Sequence, residues 1–167
     1  LALLDLPVRP GVTLRPDTPE DRPFLRRLFA AARQDAQLLA LWPASQREPF
    51  LDQQFSFQDL HYRRYYAEAD FLVVEQDGAP VGRVVLDRST PSWCLVDIAI
   101  LPESRGQGLG QALLAAMLSR AKAEGADAIT LSVESGNWPA HRLYLRLGFV
   151  ETESESDAHI AMIARLS

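Results

Sequence analysis

Hydrophobic positions change their period several times along the chain, and each change marks an element. Val12 to Arg15 reads as a short strand. Thr18-Pro19-Glu20-Asp21 then supplies a capping threonine, a first-turn proline and two acids, and Phe24, Leu25, Leu28, Phe29 and Ala32 recur at helical spacing behind it. A second helix is expected from near Ser45, with Glu48 three residues on and Phe50, Leu51, Gln54, Phe55, Gln58, His61, Tyr62 and Tyr65 along one broad face. That face mixes apolar and polar groups. It reads either as half core and half pocket wall or as an exposed polar-aromatic surface.

The middle of the chain turns to strands. Phe71 to Glu75 is apolar, Asp77-Gly78 is a hairpin turn, Val81 to Leu86 pairs back, and Trp93 to Leu101 follows, which makes an antiparallel meander. Ala112, Leu113, Leu114, Met117, Leu118 and Ala121 mark a helix ending at Gly125. Ile129 to Val133 is a strand, Pro139 to Leu147 a helix closed by Gly148, and two further strands run from Phe149 and from Ile160 to Leu166. No repeat or interdomain linker interrupts this order, and 167 residues suit one domain spanning 1–167.

Composition narrows the function classes. A net charge of -5 removes any global attraction for nucleic acid or anionic membranes, so an anion site must be local. Cys94 is the only cysteine and the three histidines lack zinc-like spacing, so neither a disulfide nor a structural metal is expected. The apolar opening Leu1-Ala2-Leu3-Leu4 has no basic flank and is broken by Asp5 and Pro7, which argues against a signal peptide or a membrane span. A cytoplasmic location is expected.

The chemistry concentrates in Arg105-Gly106-Gln107-Gly108-Leu109-Gly110-Gln111. A strand running into glycines and then into a helix leaves backbone N–H groups free where the helix dipole is positive, and Arg105 adds charge. The loop lacks the Lys and Ser/Thr of a Walker loop, because Gly110 is followed by Gln111 and Ala112. Its G-x-G-x-G spacing after a meander is also wrong for a Rossmann fingerprint. Taken alone, it has a tight turn as its plainer reading.

Together with the lead Val96-Asp97-Ile98-Ala99-Ile100-Leu101-Pro102-Glu103, this loop resembles the [QR]-x-x-G-x-[GA] pyrophosphate loop of the GNAT superfamily of N-acetyltransferases. Asn137-Trp138-Pro139-Ala140-His141-Arg142-Leu143-Tyr144-Leu145-Arg146-Leu147-Gly148-Phe149 is similar to that family's N-x-x-A-x-x-L-Y-x-x-L-G-F segment. The resemblance covers about residues 12–166 and is weakest over 33–68, where members choose their substrates. It implies an α/β (α+β) three-layer fold with a mixed, mostly antiparallel seven-stranded sheet flanked by about four helices.

The resemblance further implies acetyl-CoA as cosubstrate and a primary amine, on a small molecule or a protein or peptide, as acceptor, with direct attack in a ternary complex. It places the pyrophosphate on Arg105, Gly106, Gln107, Gly108, Leu109, Gly110 and Gln111. Ile98, Ala99 and Ile100 would hold the pantetheine arm through their backbone, where the strand splays from Leu131 to Glu134; the plainer reading of these three is core strand. Tyr144 takes the general-acid position, against a plain core tyrosine, and Asn137 a cofactor contact, against a helix N-cap. Asp97 and Glu134 are the candidate bases, with His61 a third on the pocket helix, and each also reads as a surface residue. Cys94 reads as a small strand residue, and His141 and Glu151 to Asp157 as exposed residues without chemistry. Homodimerisation is allowed. The competing class is a GNAT-like domain that binds acyl-CoA without turning it over.

Overall fold

The computed structural model describes Leu3 and residues 5–166; Leu1, Ala2 and Leu4 of the apolar opening lie outside the described residues. Seven strands form one sheet: β1 (Val12–Pro16), β2 (Asp70–Gln76), β3 (Ala79–Asp87), β4 (Ser92–Ile100), β5 (Ala128–Glu134), β6 (Val150–Glu151) and β7 (His159–Arg165). Their order is β1-β2-β3-β4-β5-β7-β6, and every neighbouring pair is antiparallel except β4 with β5. The helices are α1 (Arg22–Ala32), α2 (Ala36–Leu39), α3 (Ala44–Tyr65), α4 (Leu109–Ala123) and α5 (Trp138–Arg146). Three-residue 3-10 turns precede α1 and follow β4.

The α/β architecture expected from the sequence is the one observed, with one helix more than anticipated. The addition is α2, a single turn too short to show a period. Two starts are built differently from their sequence signals. Thr18 and Asp21 do pair, but they open a 3-10 turn, and Asp21 also accepts from Arg15 Nη1 at 2.8 Å and Nη2 at 2.7 Å. This ties β1 to α1 and pulls the Asp21 carboxyl down to about 2. Ahead of α3 the cap position is Pro43, and Glu48 instead accepts from Arg26 at 2.7 Å, joining α3 to α1.

Helices cover both faces of the sheet. On one face α4 packs on β4 and β5, and Leu109, Leu113, Leu114, Met117 and Tyr144 share a buried cluster with Trp93, Leu95, Leu131 and Phe149. On the other, α1 packs on β3, β4 and α3, with Leu25, Leu28, Leu51 and Phe55 buried. The Asp77-Gly78 turn behaves as expected: both residues have positive φ, at 53° and 85°, as a two-residue hairpin with Gln76 opposite Ala79 requires.

Candidate active site

The parallel pairing of β4 with β5 covers only Ser92 to Leu95 against Ala128 to Leu131. Beyond it the two strands part. Next to the point of separation β4 carries a bulge: Val85 pairs with Asp97 but Leu86 with Leu95, which leaves Val96 as an extra residue. The bulge reverses the alternation, so that Ile98 and Ile100 pack against the same core as Trp93 and Leu95. Asp97 and Ala99 then face the α1 and α3 side.

The V between the strands opens into a cavity of about 880 Å³. Asp97, Ile98, Ala99, Glu134, Asn137 and Tyr144 all line it, together with Gln54, Gln58, His61 and Tyr62 of α3. The mixed face of α3 is therefore half core, through Leu51 and Phe55, and half cavity wall. Tyr65 departs from that expectation: it is exposed and stacks on His61 at 5.5 Å. Ile100 and the glycine loop lie outside the cavity lining.

Asp97 is half-buried, and burial pushes its carboxyl up to about 6, with the Arg83 charge and the Ile98 N–H drawing it back. Arg83 sits diagonally from it across β3 and β4, buried, with Nη2 on Asp59 at 2.8 Å. Asp59 also accepts from Arg63, which reaches Asp17 at 2.6 Å. Of this chain of charges, Arg83 reaches the cavity lining. Tyr144 is buried edge-on to Phe149, and burial with the nearby Asp97 charge pushes its phenol up to about 12, so it carries its proton at neutral pH. Burial likewise raises the Tyr62 phenol and the Cys94 thiol.

Glu134 is exposed at the cavity rim, where Gln34 Nε2 donates to its Oε2 at 2.6 Å. Asn137 is the N-cap of α5, its side chain accepting from the Ala140 N–H at 3.4 Å, while it also lines the cavity. The capping reading therefore holds. His141 is a correction: it is half-buried rather than exposed, with Nε2 2.7 Å from Glu151, and joins α5 to β6.

The loop stands at the outer end of the V. Arg105 Nε donates to the Ile100 carbonyl at 2.9 Å. Gly106 and Gly108 both have φ of +76°, a left-handed conformation that favours glycine, and Gly108 is the N-cap of α4. At Gly110 an added Cβ would stand 3.4 Å from Ile100 Cδ1, the tip of a side chain on β4, so α4 and β4 are in contact here. Leu109 buries its side chain in the core and offers the loop only its backbone. An exposed glycine loop that leads into the first-turn N–H groups of a helix fits a pyrophosphate, and the unpaired edges of the V fit the amides of a pantetheine arm.

A family model described as the acetyltransferase (GNAT) family matches residues 25–149, which contain the V, the loop and α5. The chain belongs to the GNAT family. Among its relatives, a mycothiol acetyltransferase of Frankia casuarinae is 30% identical over 139 residues, covering 74% of this chain and 40% of that protein. An N-alpha-acetyltransferase of Sulfurisphaera tokodaii is 34% identical over 106 residues, covering 56% and 62%. The chain thus spans about half the length of these curated relatives. The PaiA N-acetyltransferase of Thermoplasma acidophilum, solved in complex with coenzyme A, shares the fold: the TM-score is 0.69 at 17% identity, over 92% of this chain and 98% of that one.

Within this GNAT chain, three residues of the site went unnoticed in the sequence. Arg83 had a signal, a charge in the middle of the apolar run Val81 to Leu86. Gln34 had none, because its partner Glu134 is 100 residues away. Arg9, which reaches the glycine loop, had only the turn-forming Pro10-Gly11 behind it.

Proposed function

We propose that the chain is an acetyl-CoA-dependent N-acetyltransferase that transfers the acetyl group to a primary amine by direct attack in a ternary complex. The observation that carries this reading is the convergence on one V of a glycine loop outside it, a carboxylate of raised pKa within it, and a buried protonated phenol beside it. When bound, the thioester supplies an activated acetyl group. The loop backbone from Arg105 to Gln111 would hold the pyrophosphate, and Ile98, Ala99 and Ile100 would pair with the pantetheine arm through the main chain. A backbone N–H of that segment would stabilise the charge developing on the carbonyl oxygen.

Asp97 would take the amine proton. A carboxyl near pH 6 is ionised at neutral pH yet basic enough to share a proton, and it faces the α3 side of the cavity, where an acceptor would enter. Glu134, already holding Gln34 at the rim, suits orienting the acceptor better than deprotonating it. Tyr144 would return a proton to the departing thiolate. Asn137 would serve the cofactor through its position at the V, in addition to capping α5. The acceptor is a small-molecule, protein or peptide amine met in the cytoplasm by a single domain, and a homodimer is compatible with this reading.

The decisive assay incubates the protein with acetyl-CoA and a panel of amines while free thiol is followed. Amine-dependent thiol release is the expected outcome. Binding of acetyl-CoA with no release for any amine would leave only an acyl-CoA-binding domain, and failure to bind would remove the reading altogether.

A further inference from the structure

The segment preceding β1 does more than fill the core. Leu3 and Leu6 are buried in the cluster beneath α4, and the chain then meets β1 through the turn Arg9-Pro10-Gly11-Val12. In that turn the Val12 N–H bonds the Arg9 carbonyl at 3.1 Å, proline occupies the second position, and Gly11 at the third has φ +82°. These are the requirements of a type II turn. The Gly11 carbonyl also accepts from the Asp77 N–H at 2.8 Å, which anchors the turn to the β2–β3 hairpin. Arg9 therefore leaves a rigid base.

Its guanidinium crosses to the glycine loop, where Nη1 donates to the Gln107 carbonyl at 2.7 Å. A Cβ on Gly108 would stand 3.9 Å from the same nitrogen. Arg9 has no ion-pair partner among the described residues, although many arginines of this acidic chain are paired. In a trans peptide the C=O and the next N–H point in opposite directions. A cation held on the Gln107 carbonyl therefore fixes the plane of the Gln107–Gly108 peptide, turns the Gly108 N–H to the opposite side, and polarises it as a donor.

We infer that Arg9 is a positioning residue of the phosphate site, which orients and polarises the Gln107–Gly108 peptide toward the pyrophosphate of coenzyme A. This assignment rests on the cofactor reading above. It gives the N-terminal segment a part in cofactor affinity, acting through the backbone and adding a positive charge that the loop itself lacks beyond Arg105. The side chain need not touch the ligand.

Calorimetric titration of the full chain with coenzyme A, 3′-dephospho-coenzyme A and, by competition, pantetheine tests it. Arg9→Ala is expected to weaken both nucleotide ligands by the same factor of about ten, the size of a charge-assisted contact. Pantetheine binding should not change. Arg9→Lys, which can donate to the same carbonyl and keeps the charge, should recover most of the loss, and it supplies the test if Arg9→Ala folds poorly. Unchanged affinity for coenzyme A in Arg9→Ala overturns the inference. So does an effect confined to the ligand carrying the 3′-phosphate, or an equal loss for pantetheine, which would mark general loosening. A wild-type chain that binds none of the three ligands would instead bring down the cofactor reading itself.

Discussion

At the scale of single residues, Asp97 carries the sharpest consequences. Its carboxyl, raised from 3.8 to about 6 by burial, binds a proton more tightly in the folded chain than in the unfolded one. The stabilisation that this proton brings is complete below pH 4 and is lost as the pH rises through 6. Asp97→Asn should therefore fold more stably than the wild type at pH 7, by about 1–3 kcal/mol in denaturant titration. The same substitution should lower kcat/KM by about 10²–10⁴-fold and remove an acid limb near pH 6 from its pH profile. A variant that is both more stable and nearly inactive is the mark of a site residue. If activity survives and the acid limb stays, Asp97 is not the base. Tyr144→Phe should cost less than the ~10² typical of a lost general acid, because thiolate leaves readily, and the loss should fall on kcat.

Residue identity was legible where a motif or a broken pattern marked it. Asp97, Asn137 and Tyr144 stand in segments with a distinctive spacing, and the fold brings all three to one cavity. Whether Asn137 caps α5 or binds a ligand was not legible, because both uses need a short polar side chain at a helix start; the structure gives it the cap. Gln34 and Arg9 were illegible for another reason. Their partners, Glu134 and Gln107, lie 100 and 98 residues away, and no local pattern records such a meeting.

At the scale of elements, the helices and strands were legible within a few residues because each carries its own period. Three features were not. The position of β7 between β5 and β6 depends on pairing across the chain. The single turn of α2 has no period to read. The bulge at Val96 is visible only when β3 is aligned beside β4. That last feature matters most, since the bulge and the end of the β4–β5 ladder lie within two residues of Asp97. On the other side of β4 the spacing is just as constrained. A Cβ on Gly82 would stand 2.6 Å from the Ala99 carbonyl oxygen, a backbone atom that cannot move without shifting β4. Gly82→Ala should force the strands apart at the arm of the V that Ala99 lines. Expected outcomes are a stability loss of about 1–3 kcal/mol, as for other overpacked sites, and weaker acetyl-CoA binding. Denaturant titration alongside calorimetry measures both, and an unperturbed variant would show that β4 tolerates displacement there.

At the scale of the whole molecule, the sheet ties the two halves of the site together, so occupation of the loop should be felt as global stability. A ligand that binds only the folded chain adds about 2.7 kcal/mol at a hundredfold excess over its Kd. For a chain of this length that corresponds to a rise in Tm of about 5–10 °C. Coenzyme A should produce such a rise in the wild type. Gly108→Val separates binding from folding: φ is +76°, so the substitution meets backbone strain, but the nearest non-neighbouring atom to the added Cβ is Arg9 Nη1 at 3.9 Å, the movable end of a side chain. Its own Tm should therefore fall only by the few degrees that ~1–2 kcal/mol of left-handed strain implies. The coenzyme A shift, however, should vanish, because a branched side chain now stands where the backbone must approach the pyrophosphate. Differential scanning fluorimetry of the two proteins, with and without coenzyme A, reads all four values. A Gly108→Val protein that still rises with the ligand would mean that the loop is only the turn into α4 and that the anion is held elsewhere.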